Sequence, residues 1–72
     1  MTERAQITHM QVRMARLAAE KWGLSIGEVA RLFRQYKVFE YIRECYGIFH
    51  VEGDEAVFED VKSYLKLKGA SV

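Results

Sequence analysis

Cys45 and His50 stand five residues apart, and a thiol beside an imidazole is the smallest set that covalent catalysis uses. The spacing does not favour that chemistry. Cys45 falls on an apolar helical stripe, where a free cysteine behaves as a small hydrophobe. With His9 these residues make three soft donors without paired spacing, too few for a zinc site. Carboxylates gather at Glu52, Asp54, Glu55, Glu59 and Asp60. They lack the alternating ligands of a calcium loop and suit an exposed turn followed by a helix start. No catalytic residue, metal ligand or cofactor is expected.

The other chemistry on offer is phosphate binding. EVARLFRQYKVFEYIRECYGIFH, residues 28–50, has the outline of two helices joined by a turn, with Arg31, Arg34, Lys37 and Arg43 along it. A DNA-reading helix-turn-helix commonly has an alanine in its first helix and a turn glycine four residues later. Apolar residues stand five, ten and thirteen after the alanine. Anchored on Ala30, those places hold Arg34, Gln35, Glu40 and Arg43. The outer side of the third helix would present Lys37, Glu40, Arg43 and Glu44, and its carboxylates repel phosphate. A winged variant would use the acidic tip Glu52-Gly53-Asp54-Glu55, where DNA-touching wings carry Lys or Arg. Nucleic-acid binding through Arg31, Arg34, Lys37 and Arg43 is therefore the second reading. A packed helical hairpin is the first.

The elements that place these residues follow from periodicity. Residues 3–22 read as an amphipathic helix: Ile7, Met10, Met14, Leu17 and Lys21 follow 3-4-3-4 spacing, Ala15, Ala18, Ala19 and Trp22 broaden the apolar face, and Gly23 ends it. Ser25-Ile26-Gly27-Glu28 has the form of a capping box, with Leu24 and Val29 as its staple, so a second helix starts at about Ile26. A break is expected near Gln35–Lys37. The third helix, about Val38 to Tyr46, carries apolar residues around much of its girth and stops at Gly47. Ile48-Phe49-His50-Val51 and Ala56-Val57-Phe58 flank a turn signal and read as the two strands of a short hairpin. On that strand His50 would hydrogen-bond the hairpin backbone or meet a partner. Glu59 to Lys68 reads as the last helix, and Ala70-Ser71-Val72 as a frayed tail.

The expected architecture is mainly α: residues 1–72 as a single helical domain, a small orthogonal bundle of about four helices with one short β-hairpin before the last. At 72 residues the chain is one domain with a modest core. A lone cysteine fits a reducing cytoplasm, since small secreted domains are usually stapled by cysteine pairs. MTERAQITHM has no apolar run and does not read as a signal peptide. No stretch approaches the roughly eighteen apolar residues of a membrane span. The net charge of +1 hides a gradient. Residues 1–24 hold four basic and two acidic groups, whereas residues 48–72 hold three and five.

LSIGEVARLF, YKVFEYIRECYGIFH and the later Glu-Asp-Val…Tyr-Leu resemble a family of short bacterial proteins known as domain of unknown function 3791. The resemblance runs from Leu24 to Leu65 and rests mainly on Tyr41-Ile42, Tyr46, Phe49-His50, Gly53 and Asp60-Val61. Val51 and Glu52 follow the histidine where the family pattern has threonines, and Glu59-Asp60-Val61 stands for Asp-Asp-Ile. The resemblance implies a small cytoplasmic bacterial protein and no known activity. It also implies a gene neighbour that looks like an ADP-ribosyltransferase, an arrangement resembling a toxin with its antidote.

These readings converge on a non-enzymatic protein-interaction module. Its partner surface, or homodimer seam, is expected at Phe39, Tyr41, Tyr46, Phe49 and His50. The third helix has more apolar girth than a domain this small covers, and tyrosine is favoured at interface hot spots.

Overall fold

A computed structural model describes residues 2–72. The chain forms five helices: α1 (Glu3–Trp22), α2 (Ile26–Gln35), α3 (Val38–Glu44), α4 (Tyr46–Phe49) and α5 (Asp54–Leu67). There is no strand among the described residues.

Local chemistry sets each boundary. Thr2 caps α1, accepting from the Ala5 amide at 3.2 Å. Gly23 ends α1 in the left-handed region at φ 66°, and the Leu24 amide donates to the Ala19 carbonyl at 3.1 Å. The capping box at α2 is complete. The Glu28 amide donates to Ser25 Oγ at 3.1 Å, and the Ser25 amide donates to Glu28 Oε1 at 3.0 Å. These bonds hold the Glu28 carboxyl below its ordinary pKa, the one from the Ser25 backbone most of all.

The break between α2 and α3 falls at Tyr36–Lys37. Lys37 adopts φ 58°, the one non-glycine residue with positive φ among the described residues. The chain turns there because Val38 and Ile42 must both reach the core, and both are fully buried. The core also takes Met10, Met14 and Ala18 from α1, Val29 and Phe33 from α2, and Phe49 from α4. α5 adds Val57, Phe58, Val61 and Leu65. α1 packs against α2, α3 and α5, and α3 lies between α2 and α5.

The expected hairpin is replaced by helix. Ile48 and Phe49 belong to α4, and Ala56, Val57 and Phe58 lie in the first turns of α5. A short apolar run bounded by turn residues does not distinguish strand from buried helix. Here Val57, Phe58, Val61 and Leu65 fall on one helical face, and all four are buried. Gly53 serves as N-cap, and Asp54 and Glu55 occupy the first turn, where the helix dipole favours acids. The last helix thus begins at Asp54 rather than Glu59.

The chain end also differs from the expected frayed tail. Gly69 at φ 92° lets the Ala70 amide donate to the Leu65 carbonyl at 3.0 Å and the Gly69 amide to Lys66 at 3.1 Å, a Schellman closure. Ala70 is buried and Val72 packs against the core.

Candidate interaction surface

α3, α4 and the turn before them are tied down by three hydrogen bonds, two to α1 and one to α5. Gln11 Nε2 donates to the Phe39 carbonyl at 2.8 Å, joining α1 to α3. The Tyr64 hydroxyl donates to the Tyr36 carbonyl at 2.8 Å, joining α5 to the turn before α3. The Tyr46 hydroxyl donates to Gln6 Oε1 at 3.2 Å, joining α4 to α1.

The aromatic residues singled out by sequence divide into two groups. Phe39 and Tyr41 serve packing. Phe39 is half-buried with its ring edge-on to Phe33, centroids 5.4 Å apart. Tyr41 stacks on Tyr64 at 4.2 Å and meets Phe49 edge-on at 5.6 Å. Phe49 is 3% exposed and belongs to the core, so it is not available to a partner. Burial raises the Tyr41 hydroxyl pKa, helped by Cys45 once its thiol is ionised and by the negative charge of Asp60 and Glu52.

Tyr46 and His50 form the outward group. They stack one helical turn apart, centroids 5.4 Å and planes 24° from parallel. His50 Nδ1 lies 3.0 Å from the Tyr46 carbonyl. That carbonyl can only accept, so Nδ1 carries the proton and Nε2 is the free position of the neutral ring. His50 therefore bonds the backbone, as one of its two sequence readings held, but on a helix rather than a hairpin.

Two surface residues were not legible beforehand. Ile48 is 67% exposed and Val51 76%. Val12, Ile26 and Leu67 are the other exposed large aliphatics, each on a different helix. The run Ile48-Phe49-His50-Val51 thus sends Phe49 inward and the other three outward. Read as a strand, the run alternates. Read as a helical turn, Ile48 and Val51 share one side at i, i+3, which is the signal that finds them.

Cys45 is half-buried, and burial raises its thiol pKa, with Glu44 and Asp60 adding to the rise. It stays protonated at neutral pH, the wrong state for a nucleophile. Among the described residues no group of three or more His, Cys, Asp or Glu is placed to hold a metal. Arg31, Arg34, Lys37 and Arg43 are all exposed, and none is ion-paired among the described residues. Among the described residues no hairpin forms a wing to accompany them.

A protein-family model described as "Protein of unknown function (DUF3791)" matches residues 9–68. The chain belongs to this family. The match takes in α2 to α5 and most of α1, so the surface of α3 and α4 lies wholly within it. No curated protein and no solved structure matches the chain. No helix among the described residues is long and apolar enough to cross a membrane.

Proposed function

We propose that this chain is a non-catalytic protein-interaction module of the bacterial cytoplasm. Its docking surface is the outer side of α4 and the adjoining part of α3. The observation that carries the reading is the pairing of two exposed aliphatics, Ile48 and Val51, with the stacked Tyr46–His50 rings in one six-residue stretch. Isolated exposed apolar residues are ordinary, whereas two exposed aliphatics and a tyrosine within six residues have the composition of an interface. Tyr46, His50, Ile48 and Val51 make the contact. Phe39 and Tyr41 shape it from behind, and Phe49 holds it against the core.

The partner is an adjacent-gene product resembling an ADP-ribosyltransferase, with this chain in an antitoxin-like or accessory role. Support comes from the family resemblance and from the form of the surface. Co-expression with that neighbour, followed by affinity capture with and without Ile48→Ser/Val51→Ser, tests it. Capture lost in the double variant with an unchanged thermal midpoint supports the reading. Equal capture by both forms overturns it. Sedimentation of the purified chain tests the homodimer seam.

One observation favours the second reading, a nucleic-acid-binding regulator of winged or helix-turn-helix type: Arg31, Arg34, Lys37 and Arg43 are exposed and without ion pairs among the described residues. Against it stand Glu40 and Glu44, which share α3 with Arg43, and the lack of a hairpin wing among the described residues.

A further inference from the structure

We propose that the α4 docking surface selects a basic, partly apolar helix of the partner protein, through uncompensated carboxylates along its α5 side. It rests on the α4 surface proposed above and adds the chemistry of the occupant.

The helical period runs on across the junction of α3 and α4. The Cys45 amide donates to the Tyr41 carbonyl at 3.0 Å, and the Phe49 amide donates to the Cys45 carbonyl at 2.9 Å. Residues 44, 48, 51 and 52 therefore fall at i, i+4, i+7 and i+8, on one side. Glu44, Ile48 and Val51 are exposed there, and Glu52 is half-buried. Arg43, Tyr46 and His50 fall at i, i+3 and i+7 on the other flank, which the Tyr46–Gln6 bond turns toward α1. α5 brings a further carboxylate to the acidic side. Tyr64 stacks on Tyr41, and Asp60 precedes Tyr64 by one turn. The charges of Glu44 and Asp60 both reach the Cys45 thiol, and those of Glu52 and Asp60 reach the Tyr41 hydroxyl.

The chain does not neutralise this edge. From Glu44 to Asp60 it carries six carboxylates and no lysine or arginine. Asp54, Glu55 and Glu59 are ion-paired with Arg13, Lys21 and Lys62. Glu44, Glu52 and Asp60 are not ion-paired among the described residues. Glu52 Oε1 is closed off from solvent with no hydrogen-bond partner. A partly desolvated carboxylate without a donor favours a cation brought beside it.

Geometry and composition choose among cations. No three His, Cys, Asp or Glu among the described residues converge as metal ligands, so these carboxylates suit cations spaced along a chain rather than one ion. A nucleic acid is repelled by them. A helix with leucine against Ile48 and Val51, and lysine or arginine a turn away, meets both features of the surface. A second copy offers Arg31 and Arg34 on α2, but α3 lies between α2 and α5. Copies joined that way would run head to tail without closing.

The experiment is an amide-resolved NMR titration of the full chain with two synthetic amphipathic peptides of equal length, one of leucine and lysine, the other of leucine and glutamate. Saturable shifts at Glu44, Ile48, Val51 and Asp60 are expected with the lysine peptide, and binding about tenfold or more weaker with the glutamate peptide. Glu44→Gln/Asp60→Asn should weaken the lysine peptide about fivefold, matching two exposed ion pairs, and flatten its salt dependence. Neither residue is ion-paired, so the thermal midpoint should hold. Equal binding of both peptides at Ile48 and Val51 would leave the α4 surface standing and overturn the selection. No saturable shift, undiminished binding by Ile48→Ser/Val51→Ser, or self-association in place of peptide binding would also overturn it. The capture experiment on the neighbouring gene's product tests the α4 surface by itself.

Discussion

The hydroxyl of Tyr64, on α5, donates to the main-chain carbonyl of Tyr36 at 2.8 Å, across 28 residues of chain. That carbonyl sits where α2 ends, a position whose acceptors lack helical partners. The same Tyr64 ring stacks on Tyr41 at 4.2 Å. One side chain thus fixes both the turn into α3 and the aromatic layer behind the proposed surface. Tyr64→Phe keeps the stack and strands the carbonyl. It should cost about 1–2 kcal/mol in a urea melt, the price of one part-buried acceptor left unmade. An unchanged midpoint would mean that water replaces the bond without loss.

Lys37 follows directly, held at φ 58° and ψ 38°. A residue with a Cβ is disfavoured there by roughly 1–2 kcal/mol, and glycine escapes most of that cost. Lys37→Gly should therefore stabilise the fold by about 1 kcal/mol, although glycine is normally the more costly residue to order. Thermal and urea midpoints should both rise. A fall would show that the lysine side chain holds the turn through a contact of its own.

The capping box makes two measurable claims. Ser25→Ala should cost about 0.5–2 kcal/mol, the usual range for a lost N-cap. Glu28 adds a pH dependence. Its folded-state pKa is depressed, so its contribution is complete above the ordinary value of 4.5 and is lost as pH falls through the lower folded value. The Glu28→Ala penalty should be present at neutral pH and shrink in acid. A penalty that stays constant down to strongly acidic pH would show that the charged form of Glu28 is not what matters.

Much of this was legible in sequence, and the main failure, the hairpin, has one cause. The first two helices, the capping box and the break before Val38 follow from capping residues and 3.6-residue spacing, which are local signals. The apolar face of α1 is where periodicity puts it: Met10, Met14, Ala15 and Ala18 are buried, and Ile7 and Leu17 lie at its edge. The hairpin failed because Ile48 to Val51 and Ala56 to Phe58 are short, β-branched and aromatic, features that suit a strand and a buried helical turn alike. Only packing against α1 and α3 settles the choice, and it is not a local property. The same error placed Phe49 on the partner surface and hid Ile48 and Val51.

The nucleic-acid reading has its own outcome. If Arg31, Arg34 and Arg43 grip phosphates, affinity should fall steeply with salt, log K dropping by about 0.9 per contact for each log unit of salt. Reversing the three charges should abolish binding. With Glu40 and Glu44 on α3 beside Arg43, weak retention indifferent to sequence is expected in a gel shift against the DNA upstream of the gene. Tight, sequence-dependent retention would put the regulator first.

The sharpest test of the α4 surface contrasts neighbours. Phe49 is in the core, and Phe49→Ala should cost about 3–5 kcal/mol and leave the chain largely unfolded. Ile48 and Val51 flank it in sequence yet face solvent, so Ile48→Ser and Val51→Ser should each change stability by no more than about 0.5 kcal/mol. Tyr46→Ala loses the Gln6 bond and the His50 stack, and should fall between. Partner affinity should rank differently: Ile48→Ser, Val51→Ser and His50→Ala should all weaken binding while the fold persists. Affinity measured beside the thermal midpoint for each variant separates the two orders. If binding follows the midpoint across the set, these residues support the fold alone, and the partner meets the chain elsewhere.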